Sequence, residues 1–167
     1  MKGITIRAQK WGETKRIARL ITWAFTGQPH SDGREAQIYQ HIFGCLDADV
    51  SLVALARFGR IVGHVMCSEV KIDGEYCRWA GLGPVSVLPR WQRRGIGSAL
   101  IERALAGLRL GDWRGCVVLG DPAFYGRFGF RHDPGLIYPG PPPEYFQRVV
   151  FHGPEPKGVV SYAPVFG

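Results

Sequence analysis

Long apolar runs are missing from this chain. None approaches the roughly 18 to 20 consecutive apolar residues that a bilayer-spanning helix needs, so no membrane partner is expected. The opening residues, Met1-Lys2-Gly3-Ile4-Thr5-Ile6-Arg7, carry charge but no apolar core and no cleavage site behind it. No signal peptide is therefore expected, and the cytoplasm is the expected location. Cysteine is scarce and scattered: Cys45, Cys67, Cys77 and Cys116 form no C-x-x-C pair and have no histidine at metal spacing. Reduced, mostly buried thiols are expected, and no metal site. Acidic residues are also few, with 14 Asp and Glu against 21 Lys and Arg, a formal net charge of +7. Such an excess suits either an anionic ligand or nucleic acid. The basic residues are spread along the chain apart from Arg90 to Arg94, and no basic tail or nucleic-acid motif accompanies them. An anionic small ligand is the better reading, with a solubilising surface as the plainer alternative.

What is present describes one globular domain over residues 1–167, with 46% hydrophobic and 21% charged residues and no repeat or linker. Ile4 to Arg7 alternates like a short strand. Thr14 to Phe25 places Ile17, Leu20, Ile21, Ala24 and Phe25 at helical spacing, with Thr14 as N-cap and Gly27 with Pro29 as the stop. A second helix is predicted over Gly33 to Phe43, with Ile38, Ile42 and Phe43 inward and Gly44 ending it. Val50 to Arg57 and Ile61 to Ile72 read as strands joined by a hairpin at Phe58-Gly59-Arg60. Asp73-Gly74 is the next turn, and a strand follows from Trp79 to Leu88 until Pro89 ends it. Gly95 to Leu110 reads as a helix with an apolar stripe of Leu100, Ile101, Ala104, Leu105 and Leu108, stopped by Gly111. Cys116 to Leu119 is a fully apolar strand. Asp121-Pro122 marks a turn before the aromatic stretch Phe124 to Phe130. Asp133 to Pro143 reads as a Pro- and Gly-rich loop, Tyr145 to Phe151 as a last strand, and the tail has no assignment. The class is mixed α/β.

The segment Leu82 to Ile101 concentrates the chemistry. A buried strand, a proline bend, a basic Gly-rich loop and a helix starting at glycines together aim backbone N–H groups, a helix N-terminus and guanidinium groups at one point. That combination suits a phosphate or pyrophosphate. A Walker A loop is excluded, because no Gly-Lys-Ser/Thr closes the segment. The dinucleotide fingerprint fails too, since Leu100 stands where its third Gly or Ala belongs and Arg90 to Arg94 separates strand from glycines.

What remains, Val87-x-Pro89-x-x-Gln92-x-x-Gly95-x-Gly97 between strand and helix, resembles the acetyl-CoA signature of the GNAT family of N-acetyltransferases. Downstream, Tyr125-Gly-Arg-Phe-Gly129-Phe130 is similar to the family's Tyr-x-x-x-Gly-Phe segment. Leu82-Gly-Pro-Val and Leu119-Gly-Asp-Pro with Phe124-Tyr125 resemble a largely uncharacterised subgroup of predicted acetyltransferases in it. The resemblance spans roughly residues 4 to 130.

It implies a mixed, mostly antiparallel central sheet flanked by helices and splayed between strands 4 and 5. It further implies an acetyl-CoA co-substrate whose pantetheine arm runs along the backbone of Val85, Ser86 and Val87. The pyrophosphate would lie on the N–H groups of Gln92, Arg93, Arg94, Gly95, Ile96, Gly97 and Ser98, with Arg93 and Arg94 adding charge-assisted bonds. Tyr125 matches the family's general acid, which protonates the departing thiolate; its plainer reading is one aromatic of a core cluster. The family's strand-four carboxylate is missing, because Trp79 to Leu88 holds no Asp or Glu. Glu69, His64 and Ser86 (through water) are the substitute candidates for a base. The connection Gly120-Asp121-Pro122-Ala123 is shorter than in many members and lacks their Asn, which leaves cofactor contacts from it unassigned.

The implied reaction is direct attack of a primary amine on acetyl-CoA in a ternary complex, with no acyl-enzyme. A catalytically silent acyl-CoA-binding or regulatory module is the alternative, motivated by the missing carboxylate. The acceptor is a small-molecule or peptide amine, expected at the first two helices, the loop from Gly27 to Arg34 and the C-terminal strands. Asp32, Glu35, Asp47 and Asp49 are the carboxylates able to attract it there. Dimerisation is common in the family, so a homodimer is an open expectation.

Overall fold

Residues 3–27, 33–44 and 48–162 are described by the computed structural model, and its elements follow the predicted alternation closely. In chain order they are β1 (Thr5–Ala8), α1 (Thr14–Phe25), α2 (Glu35–Gly44), β2 (Ala48–Ala56), β3 (Arg60–Ile72), β4 (Glu75–Val87), α3 (Ile96–Leu110), β5 (Gly115–Leu119), α4 (Pro122–Tyr125), β6 (Arg131–His132), β7 (Leu136–Ile137), β8 (Phe146–Val150) and β9 (Gly158–Ser161). The sheet runs β1-β2-β3-β4-β5-β8-β6, with β9 pairing both β3 and β7. β1/β2, β3/β9, β5/β8 and β6/β8 are antiparallel, whereas β4/β5 and β7/β9 are parallel. A mixed, mostly antiparallel sheet with flanking helices is therefore the fold. The parallel β4/β5 register covers three pairs, Trp79↔Gly115 to Gly81↔Val117.

The chain forms two compact units, Met1–Cys67 with Gly83–Ala104 and Ser68–Leu82 with Leu105–Gly167. In the first, α1 buries Ile17, Leu20 and Ile21, α2 buries Tyr39 and Ile42, and the N-terminal part of α3 buries Ile96, Leu100 and Ile101. Strand residues Val53, Val62, Val65 and Met66 complete that core. In the second, Val70, Trp79, Val117, Leu136, Phe146 and Val160 pack together, lined by Tyr138 and Tyr162.

Several boundaries differ from the sequence reading. Thr14 is the first helical residue of α1 rather than its cap; Glu13 stands at the cap, and its carboxylate accepts from the Lys10 N–H and from Arg7 instead. α2 begins at Glu35, two residues later than predicted, and includes Gly44. Tyr39 joins Ile42 as its buried anchor, while Ile38 and Phe43 are half-buried. β4 starts at Glu75 rather than Trp79 because Asp73 and Gly74 both take positive φ, 51° and 83°. That geometry feeds two strands into register without a gap, whatever the polarity of the residues that follow. Pro122 to Tyr125 is a short helix where a turn was expected, with Asp121 as cap. The unassigned tail supplies β9, held by Asp73, which accepts from Val159 N–H through its carboxylate and donates to Val159 O from its own N–H. The Pro29 stop and Cys45 lie outside the described residues.

Candidate active site

The first unit presents the Gly-rich loop. Val85 and Val87 of β4 are half-buried and Ser86 is buried; all three lie beyond the last β4/β5 pair. Leu88 N–H donates to Val62 O, closing the strand, and a 3₁₀ turn from Pro89 to Trp91 follows. Gln92 does two internal jobs: its N–H bonds Pro89 O at 3.3 Å and its side-chain amide donates to Val87 O at 3.0 Å. It therefore ties the loop to the end of β4. Arg93 (φ 58°) and Gly95 (φ 78°) then turn the chain into α3.

Buried Ile96 anchors the helix start, and Ala99 N–H bonds Gly95 O at 3.0 Å. The N–H groups of Gly95, Ile96, Gly97 and Ser98 precede that first bond and have no partner within the helix. They carry the positive end of its dipole. Arg93 and Arg94 are exposed beside them, and the Arg94 guanidinium lies over the Trp91 ring, 5.2 Å from its centroid. Among the described residues outside its own turn, a Cβ on Gly97 would meet Val87 Cγ2, at 3.7 Å, so internal packing does not demand a glycine there. From Leu82 to Ile101 there is no carboxylate. The donor set suits an anion such as a pyrophosphate.

Behind the loop lies a buried polar chain that spacing did not reveal. Ser51 Oγ donates to Gln9 Oε1 at 2.6 Å, so it accepts from His64 Nε2–H at 3.0 Å. Gln9 Nε2 donates to the Tyr39 hydroxyl at 2.7 Å, and the Tyr39 ring meets His64 edge-on at 4.9 Å. This tautomer leaves His64 Nδ1 as an acceptor; it and Ser86 Oγ are buried with no hydrogen-bond partner among the described residues. A Cβ at Gly63 would point at Leu100 and Ile96 of α3, and Gly97 of α3 looks onto Val87. Strand alternation therefore turns both His64 and Ser86 to the opposite face. Burial pushes His64 down to about 3, so it is neutral and a weak proton acceptor at pH 7. The same cause pushes Tyr39 up to about 12.

The second unit holds Tyr125 and Glu69. Tyr125 ends α4 with its ring edge-on to Phe124 (5.0 Å) and to Phe130 (5.9 Å). Desolvation first, and then the neighbouring Cys116, pushes its phenol up to about 12. It holds its proton at any ordinary pH. Glu69 on β3 is half-buried and accepts the Arg78 N–H at 3.0 Å. Among the remaining carboxylates, Glu35 starts α2 and Asp49 is exposed on β2, while Asp32 and Asp47 lie outside the described residues. Cys67 and Cys116 are buried and Cys77 half-buried, and none of the three is in a disulfide among the described residues. Among the described residues no cluster of His, Cys, Asp or Glu is arranged for a metal, and no helix is long and apolar enough to cross a membrane.

The short parallel β4/β5 pairing, the Gln-tied loop and the helix that opens on Gly95-Ile-Gly97 have the order of a GNAT domain. Residues 47–132 match the Acetyltransferase (GNAT) domain, and the chain belongs to that family. Among solved structures it is similar to a GNAT family acetyltransferase from Brucella melitensis in complex with acetyl-CoA, at 36% identity, TM-score 0.88 and full coverage of both chains. It is also similar to YhbS from Escherichia coli in complex with CoA, at 26% identity and TM-score 0.90, covering 98% of this chain and 92% of that one. In sequence, the uncharacterized N-acetyltransferase YhbS of Escherichia coli K12 is 35% identical over 95 residues, 54% of this chain and 57% of that protein. The uncharacterized N-acetyltransferase YjhQ is 32% identical over 117 residues, 66% of this chain and 65% of its own length. This chain thus spans somewhat over half the length of the curated relatives it matches.

Proposed function

We propose that the chain is an N-acetyltransferase that moves the acetyl group of acetyl-CoA to a primary amine by direct attack in a ternary complex. The observation that carries this reading is the loop from Val87 to Ser98. It offers four consecutive N–H groups at a helix start and two exposed guanidiniums, without a carboxylate in reach along the segment. When bound, acetyl-CoA supplies an activated thioester. Gly95 to Ser98 receive its pyrophosphate, Arg93 and Arg94 add charge-assisted bonds, and the backbone of Val85 to Val87 receives the pantetheine arm as an added strand.

As the amine nitrogen bonds the acetyl carbon and the C–S bond breaks, Tyr125 donates its hydroxyl proton to the departing sulfur; the proton lost by the amine nitrogen goes to water, from which the phenol is reprotonated. A phenol near 12 gives up a proton readily only to a base that is itself desolvated, because the burial that raises the phenol also raises a thiolate formed beside it. Calorimetric titration of the purified protein with acetyl-CoA tests the donor side. Binding that weakens at least tenfold in an Arg93→Glu, Arg94→Glu variant supports the reading, and absence of binding by the parent overturns it. Release of free CoA thiol over a panel of amino acids, polyamines, aminoglycosides and peptides tests the transfer.

A second reading, an acyl-CoA-binding module without transfer, is favoured by two observations. Trp79 to Leu88 has no carboxylate and His64 is held neutral. Tight acetyl-CoA binding with no thiol release on any amine would select it.

A further inference from the structure

The geometry points to Gly120 and Gln147 as positioning residues for Tyr125: together they form a pinned, side-chain-free shelf against which the phenol ring is laid. The inference rests on the reading of Tyr125 as the proton donor. Four observations carry it.

Gly120 ends the strand segment just after β5. A Cβ built on it would overlap Tyr125 Cε2 and lie 2.9 Å from Cδ2 and 3.3 Å from Cζ. The Cε2 edge of the phenol ring is therefore packed against the Gly120 backbone, in space that any side chain would take. Gly120 shows no left-handed φ, so its conformation does not require glycine; the ring does.

The shelf is held on both sides by β8 and the turn before it. Gly120 N–H donates to Tyr145 O at 2.9 Å, and Gly120 O accepts from Gln147 Nε2 at 2.9 Å. Gln147 is 1% exposed, and its amide is spent on this carbonyl, with Tyr145 O at 3.5 Å. A buried amide whose donors end on main-chain oxygens fixes a peptide in place.

The approach to the ring is fixed as well. Asp121 caps α4 by accepting Ala123 N–H at 2.9 Å, and the Phe124 and Tyr125 N–H groups return to Asp121 O at 3.0 and 2.9 Å. One tight turn thus folds residue 125 back over residue 120. Phe124 and Phe130 stand edge-on to the ring at its remaining sides. The short Gly120-Asp121-Pro122-Ala123 connection, which has no assigned contact to the donor, then has a purpose: it sets where the Tyr125 hydroxyl points.

The test compares Gly120→Ala, Gln147→Leu, Tyr125→Phe and the Gly120→Ala, Tyr125→Phe pair. Gly126→Ala serves as control, because a Cβ there meets nothing within 4 Å among the described residues beyond its chain neighbours and its φ is −55°. If the shelf positions the phenol, Gly120→Ala lowers kcat by about 10- to 100-fold, with the KM for acetyl-CoA within twofold of the parent. Gly120→Ala then costs less than twofold more in the Tyr125→Phe background. Gln147→Leu moves kcat the same way by a smaller factor. A full, independent loss in the double variant, or an unchanged kcat for Gly120→Ala, overturns the inference. Alkaline ultraviolet titration, taken as the difference from Tyr125→Phe, reads the ring without any turnover. The Tyr125 transition near pH 12 should move toward 10 in Gly120→Ala and stay put in Gly126→Ala. An unmoved transition overturns the shelf, whereas a moved one in a protein that acetylates no amine sustains the shelf and removes the reading it rests on.

Discussion

Replacing Gly97 by alanine should raise stability and lower acetyl-CoA affinity at once. Gly97 lies in the first turn of α3, and among the described residues outside its own turn its new Cβ would meet Val87 Cγ2, at an ordinary 3.7 Å. No packing conflict opposes the change. Alanine is favoured over glycine inside a helix by about 0.5–1 kcal/mol, and the first turn realises part of that. For a chain of this length, 1 kcal/mol corresponds to a melting shift of about 2–4 °C, so a rise of one to a few degrees is expected. On the proposed reading, the added methyl group crowds a phosphate oxygen that bonds the Gly97 N–H. A hydrogen bond to a charged group contributes about 1.5–3 kcal/mol. Its loss weakens binding by about 10- to 100-fold. Scanning calorimetry and titration of acetyl-CoA into the same preparation read both quantities. An unchanged Kd beside a higher Tm would refute the loop as the pyrophosphate site. A Tm lowered by several degrees would refute the packing argument instead.

Acid should destabilise the protein in two separable windows. His64 is held at about 3 against an ordinary 6.5, so below pH 6.5 the unfolded chain binds a proton that the native one refuses. Stability falls as pH drops from 6.5 toward 3. Glu13 is held at about 2, first by its Arg7 hydrogen bond, so its contribution is lost only below about 4.5. Urea midpoints between pH 7 and 4.5 should therefore flatten in His64→Asn and not in Glu13→Gln; the opposite pattern would contradict the burial of His64. Gly115→Ala should be severe, because its Cβ would overlap the Trp79 ring and lie 2.6 Å from Val149 O, a backbone atom that cannot yield. A loss near 3 kcal/mol is expected in urea unfolding, the upper end for overpacking, and a loss under about 1 kcal/mol would show that the Trp79 ring has room to move. Leu100→Ala, at a fully buried position in α3, should cost about 2–5 kcal/mol by the same measurement.

Local signals carried far in this chain. The stripe Leu100, Ile101, Ala104, Leu105 and Leu108 is buried along its whole length, because a 3.6-residue period with apolar groups at every third or fourth place leaves a helix one face to hide. α1 ends at Phe25 as expected and begins one residue early, because Thr14, the expected cap, is already helical and Glu13 stands at the cap. β9 was invisible, since Gly158-Val-Val-Ser161 carries no period of its own and is recruited by Asp73, 86 residues away from Val159. α4 was read as a turn because four residues are too few to show a period.

The donor-side reading needs only neighbouring residues: the order strand, bend, glycines and helix start is written from Leu82 to Ile101, and any helix start leaves its first N–H groups without intrahelical partners. Tertiary structure decided which polar groups are spent and which are left over. Gln92 is spent on Val87 O, and His64 is tied through Ser51 to Gln9, while its Nδ1 and Ser86 Oγ have no hydrogen-bond partner among the described residues. It also decided that Gly120 lies under Tyr125 and is braced by Gln147, 27 residues on. Hydrogen bonding and steric exclusion act over a few ångströms of space, so contacts between residues far apart in the chain exist only once the fold has brought them together.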